Sequence, residues 1–242
     1  MSVSSSDTAY SRKKWKNMDL LIPYAAPYFA YVFFSSALHD KLSEEIIYTI
    51  KLVIVSGLLI WAWKWYIPLT GPKNKWISCL WGIVFGTIGL VVWCGLYAPF
   101  TNPGDGAAQW SALGFALRLL TAGFVVPVFE ELFMRGFVFR VALQWDLLRR
   151  QNTQNAFSAA LDKVSIFDVT PGQWTVYAIV ISTIIFAAGH LVTEWPAAIA
   201  YGLLMALLWI LRKDLISCIV AHGVTNIGLA LYVYYFGHWE LW

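Results

Sequence analysis

The feature that most restricts how this chain can fold is a succession of apolar runs separated by short stretches that hold much of its charge. A bilayer core about 30 Å thick takes roughly 20 apolar residues in a helix, and a helix satisfies its own backbone groups where no water can. About seven such runs are present. The first extends from Met18 to Leu38, the second from Ile46 to Tyr66 and the third from Trp76 to Phe100. A fourth begins near Ser111 and continues past Trp145, more than one crossing requires, so it tilts, kinks or joins two helices, with Pro127 the expected kink site. The fifth lies near Thr175 to Val192, the sixth near Glu194 to Leu211 and the seventh near Leu215 to Phe236. The expected fold is therefore all-α: a polytopic transmembrane helical bundle with about seven spans, or eight if the fourth run is two helices. Of the 242 residues 59% are hydrophobic and only 13% charged, which excludes a soluble domain of this length.

Basic residues separate by side. Arg12, Lys13, Lys14 and Lys16 precede the first span, Lys73 and Lys75 follow the second, Arg149, Arg150 and Lys163 follow the fourth, and Arg212 and Lys213 follow the sixth. The opposite loops hold Lys41, with Lys51 and Arg118 near span starts. The positive-inside rule predicts a cytoplasmic amino terminus and, with an odd number of spans, an external tail at Trp242. The net charge of +3 follows from those loops and marks topology, so no nucleic-acid partner is expected. The stretch from Met1 to Asn17 is Ser-rich and basic, but the run after it is long and lacks a small-x-small cleavage site, so it is expected to remain as an anchor in an inner (cell) membrane.

The cysteines Cys79, Cys94 and Cys218 fall inside predicted spans, where they form no loop disulfide framework. Trp61, Trp63, Trp65 and Tyr66, and Trp239 and Trp242, sit at span ends as interfacial belts. The long connection from Asp146 to Gln173 mixes polar residues with Phe157, Leu161, Ile166 and Phe167; it is expected to rest on the membrane surface, or to flank a substrate entrance.

Three clusters break the apolar pattern. An ionisable side chain at membrane depth costs at least about 2.5 kcal/mol, so each calls for a partner or a function. Glu130 and Glu131 are followed by Arg135. Residues four apart share a helix face, which pairs Glu131 with Arg135 and leaves Glu130, rotated by about 100°, to point into a cavity as a general base. An ion-pair knot between helices is the structural alternative. In the second cluster Phe186 and His190 share a face, with Ala187, Ala188 and Gly189 allowing close helix approach. In the third, His222 and Asn226 lie four apart and both can donate hydrogen bonds; polar glue between helices would explain them equally. Together they supply a carboxylate, two imidazoles and an amide, enough to activate a water and to stabilise an oxyanion. Glu and His ligands also suit zinc, although no HExxH is present. His39 and His238 fall in outer loops, and Glu44 and Glu45 cap the second span; none is given a role.

Glu130-Glu131-x-x-x-Arg135, Phe186-x-x-x-His190 and His222-x-x-x-Asn226, in that order, resemble the motifs of the CAAX protease and bacteriocin-processing family, which includes the eukaryotic Ras-converting enzyme. The resemblance covers roughly Phe124 to Ile227 and divides the chain into a basic tail (1–17), amino-terminal transmembrane helices (18–110) and a catalytic transmembrane core (111–242). It implies a glutamic-type intramembrane endopeptidase that cuts near the carboxyl terminus of a membrane-associated protein, either prenylated or an exported protein carrying a sorting signal. Glu130 and His190 would polarise the attacking water, His222 and Asn226 would hold the oxyanion, and Glu131 and Arg135 would support them. No cofactor is expected, with zinc left open. Two alternatives stand beside this reading: an ion-coupled transporter using Glu130, Arg135 and the histidines as a path, and a non-catalytic immunity or scaffold protein on the same fold.

Overall fold

The computed structural model describes residues 15–39, 41–101 and 110–241. Arg12, Lys13, Lys14 and Trp242, invoked above for topology, lie outside them. Among the described residues every regular element is helical. Helices α1 (Asn17–Leu38), α2 (Glu44–Ala62) and α3 (Lys75–Tyr97) form the amino-terminal part. A continuous helical path from Ala112 to Arg150 follows, built of α4 (Ala112–Leu120), α5 (Val126–Glu131) and α6 (Phe139–Arg150). After a short α7 (Ala156–Asp162) come α8 (Val176–Ala188), α9 (Trp195–Arg212) and α10 (Leu215–Phe236). Six helical stretches are long and apolar enough to cross a bilayer, and α8 is a shorter apolar helix, in keeping with about seven spans.

Side chains set several helix starts. Asn74 accepts from the amides of Trp76 and Ile77 to open α3, Thr175 from Ala178 to open α8, and Asp214 from Ser217 to open α10. Two expectations change in detail. The fifth span was expected to reach Val192, but α8 ends at Ala188, and 13 residues make a helix of only about 20 Å. The long fourth run is one path, not two helices: π-helical stretches at Thr121–Val125 and Leu132–Val138 bracket α5, and Pro127 falls just after the first of them. Such π turns place extra backbone in a helix without ending it and recur at functional sites.

The basic loops share one end of the bundle. Asn17, at the start of α1, donates to Gln144 and to the Ala160 carbonyl and accepts from the Ile166 amide at 2.6 Å. The connection from Asp146 to Gln173 is thus clamped to the amino-terminal end of α1, with Ile166 fully buried and Phe157 exposed. At the same end the amides of Leu215 and Ile216 bond the Leu69 carbonyl, and Arg212 bonds Ser78 and the Asn74 carbonyl.

Helix α3 packs closely against α10. A Cβ on Gly82 would lie 2.8 Å from the Ser217 carbonyl oxygen, and one on Gly86 would lie 2.5 Å from that of Ala221. Only glycine permits that approach, and lipid-embedded helices associate through such small-residue seams. The Thr225 hydroxyl uses the proximity: it accepts from Tyr201 and lies 2.9 Å from the Gly86 carbonyl. This bond fixes the part of α10 that carries His222 and Asn226.

Candidate active site

At the end of the bundle opposite the basic loops lies a cavity of about 460 Å³, lined among others by Glu130, His190, His222 and Asn226. Its walls come from both halves of the chain, with Tyr28, Tyr31 and Ser35 from α1, Tyr48 from α2 and Trp93 from α3. None of the residues from Asp146 to Gln173 lines it, so the connection expected to rest on the membrane surface, or to flank a substrate entrance, does not flank this cavity.

Glu130 and Glu131 divide as their helix faces require. Glu130 faces the cavity with its side chain 12% exposed, whereas Glu131 is fully buried behind it. One oxygen of the Glu131 carboxylate, Oε1, accepts from Arg135 Nη1 at 3.3 Å and from His222 Nδ1 at 2.9 Å, while Oε2 has no partner among the described residues. Arg135 is itself buried; it donates to the Gly202 carbonyl at 3.1 Å and lies over the Phe186 ring. The ion-pair knot considered above exists; its hydrogen bonds stand behind the cavity, and Glu130 meets it only through His222 Nε2. Glu131 accepts from an already cationic partner, so Nδ1 of His222 carries the proton it shares with Glu131. The other ring nitrogen, Nε2, points towards Glu130 Oε2 at 3.8 Å, too far for a hydrogen bond.

His190 sits just beyond the end of α8. Its Nδ1 lies 2.9 Å from the Phe186 carbonyl oxygen, which can only accept, so Nδ1 carries the proton and Nε2 is left to accept in the neutral ring. Phe186 and Trp93 flank the imidazole at ring-centroid distances of 4.7 and 5.3 Å. No direct bond joins His190 to Glu130 among the described residues, so the two acceptors share the cavity without occupying one another.

Asn226 is positioned by backbone that the sequence does not advertise. Its Nδ2 donates to the Ala122 carbonyl at 2.8 Å. In the π stretch the amide of Val126 bonds the carbonyl of Thr121, five residues back. The next amide in that register would belong to Pro127, which has none. Ala122 therefore offers its carbonyl to α10, and Gly223 lets the helices meet, since a Cβ there would lie 2.8 Å from the Gly123 carbonyl oxygen.

Sequence reasoning missed Tyr28, Trp93, Thr225 and the Gly82–Gly86 seam. The small-x-x-x-small spacing in the third span was the available sign of the seam. The cysteines are free: Cys218 is buried with its Sγ towards backbone carbonyls, and Cys94, like it, does not line the cavity. Among the described residues no three His, Cys, Asp or Glu side chains group as metal ligands.

Fold and site define an integral membrane protein with an acid, imidazole and carboxamide cluster held inside its helical bundle. The comparison with known families specifies it further: residues 112–228 match the Rce1-like family, described as type II CAAX prenyl endopeptidase Rce1-like. All seven named residues of the three motifs fall within that segment, while α1 to α3 lie outside it. No curated protein and no solved structure matches the chain.

Proposed function

We propose that this protein is a glutamate-dependent intramembrane endopeptidase that hydrolyses a peptide bond near the carboxyl terminus of a membrane-associated protein. The observation that carries the reading is His222, tied through Nδ1 to the buried Glu131 and presenting Nε2 to the cavity beside Glu130.

The chemistry follows from the donors and acceptors. Glu130 and the Nε2 of His190 both accept, so a water between them directs its lone pair at the substrate carbonyl carbon. Glu130 takes a proton as the carbon–oxygen bond forms, and the carbonyl oxygen becomes an oxyanion. To donate to that oxygen, His222 must carry a proton on Nε2 as well as the one Nδ1 shares with Glu131; the Asn226 N–H not engaged by Ala122 is the second donor. Glu130 then passes its proton to the amide nitrogen as the carbon–nitrogen bond breaks. No step needs a metal or a covalent enzyme intermediate. The amino terminus is proposed to be cytoplasmic, in the cell membrane, so that the cavity opens towards the outer side and substrate approaches from there.

The test is cleavage of an S-prenylated peptide ending in a CAAX sequence, and of an exported membrane protein, by wild type and by Glu130→Ala, His190→Ala and Cys94→Ala. Activity is expected to survive only in the cysteine variant. Turnover by Glu130→Ala would end the glutamate mechanism.

A further inference from the structure

We infer that Tyr28, on α1 and outside the Rce1-like segment, is a further catalytic residue: its hydroxyl is a hydrogen-bond donor to the tetrahedral intermediate. The inference rests on the hydrolase reading above and adds a group that the three motifs do not contain.

The position of the hydroxyl carries the argument. Tyr28 lines the same cavity as Glu130, His190 and His222, and it is 8% exposed. A phenol that deep is expected to find a hydrogen-bond partner. The Tyr28 hydroxyl has none among the described residues, whereas that of Tyr24 accepts from the Ile67 amide and that of Tyr201 donates to Thr225. Its donor is left for whatever enters the cavity.

Gly189 gives a second and independent observation. Its backbone is ordinary right-handed helix, with φ −80° and ψ −3°, so conformation does not demand a glycine. Space does, because a Cβ at residue 189 would collide with the Tyr28 hydroxyl. The glycine preceding His190 thus makes room for the phenol, and the oxygen is held one residue from the imidazole.

Packing holds the ring still. Phe29, Phe129 and Phe133 surround it at centroid distances of 5.4, 6.2 and 5.1 Å, and Phe129 directly precedes Glu130 in the chain. A donor fixed before charge develops stabilises a transition state without reorganisation. A neutral phenol gives up little to an uncharged ground-state carbonyl, so its effect falls on kcat and spares KM.

The experiment compares purified wild type, Tyr28→Phe, Gly189→Ala and Glu130→Gln on an S-prenylated CAAX peptide, and titrates each with a phosphinate analogue of that peptide, whose anionic tetrahedral phosphorus mimics the intermediate. Tyr28→Phe keeps the ring and its contacts. Its kcat is expected to fall by about 10²-fold, in the range for loss of one oxyanion donor, with KM within about twofold and phosphinate affinity at least about tenfold weaker. The melting temperature is expected to stay at the wild-type value. A kcat and a phosphinate affinity both within about twofold of wild type would overturn the proposal. Should Tyr28→Phe not fold, Gly189→Ala displaces the same hydroxyl, and wild-type turnover there would overturn it equally. Glu130→Gln separates the two readings: if it still cuts, the glutamate mechanism fails, and the phosphinate titration still decides Tyr28.

Discussion

The carbonyl of Ala122 receives its hydrogen bond from Asn226 on another helix, at 2.8 Å, because Pro127 offers no amide to receive it from within its own. A proline that looks like a helix kink in the sequence therefore acts on the site by omission. It leaves an acceptor that orients a carboxamide on the cavity wall.

Replacing Pro127 with alanine restores the missing donor. The new amide competes for Ala122, so Pro127→Ala is expected to keep or raise the melting temperature while lowering kcat several-fold, a cost on the scale of the roughly 1 kcal/mol net worth of one hydrogen bond. Asn226→Asp sets an acceptor against an acceptor and is expected to lose both stability and turnover. Thermal melts read beside single-turnover cleavage check both; a fall in melting temperature for Pro127→Ala without a change in turnover would contradict this role.

Adjacent glutamates should behave differently. Glu131 is fully buried between Arg135 and His222, so Glu131→Gln leaves a buried guanidinium without its counter-charge. Breaking such a pair costs about 3–5 kcal/mol. The expected result is poor yield, a lowered melting temperature and lost activity, with stability partly restored in Glu131→Gln/Arg135→Met and activity not. Glu130→Gln, with no bonded partner to abandon, is expected to melt like wild type and to be inactive. Wild-type yield and melting for Glu131→Gln would dissolve this division.

The glycine seam offers a test remote from the chemistry. Gly86→Ala places a Cβ against the Ala221 backbone and pushes apart the helices that the Thr225 bond joins. Overpacking of this kind costs about 1–3 kcal/mol. Melting temperature and kcat are expected to fall together, whereas Gly57→Ala, where the new Cβ meets nothing within 4 Å, is expected to change neither.

Metal dependence has a direct assay. On the proposed mechanism, in which Glu130 and His190 both accept from the water, cleavage is expected to persist after exhaustive treatment with a chelator. Complete inhibition reversed by zinc would replace the proposed water activation with a metal-bound one.

Much of this site was legible because charge is expensive in lipid: Glu130, Glu131, Arg135, His190, His222 and Asn226 stand out for being where apolar residues belong. The helical spacing that pairs Glu131 with Arg135 carried over directly, even though a π stretch begins between them. The contributions of α1 and α3 were not legible, because a tyrosine or tryptophan in an apolar run has the same appearance whether it packs, anchors at an interface or lines a cavity. Nor was the end of α8, where an apolar run continues through Gly189 although the helix stops. The Ala122 acceptor was hidden for a deeper reason: backbone carbonyls are identical in every residue, and only the combination of a π turn with a proline exposes this one.

On the proposed function, the side from which substrate enters depends on where the cavity stands relative to the basic loops. Asn17 ties the start of α1 to the connection after α6, and Leu69 ties the loop after α2 to the start of α10, so the basic connections share one end. The cavity is lined instead by Ser35 and Ser36 near the end of α1, by Tyr48 near the start of α2 and by Leu191 and Glu194 before α9, which mark the other end. With the basic end cytoplasmic, Lys41→Cys is expected to react with an impermeant maleimide on intact cells, and Lys64→Cys only after permeabilisation. The native Cys79, Cys94 and Cys218 are first replaced by alanine or serine to give a silent background. The opposite labelling pattern would turn the protein over and bring the cavity to the cytoplasmic side, where a prenylated carboxyl terminus would meet it.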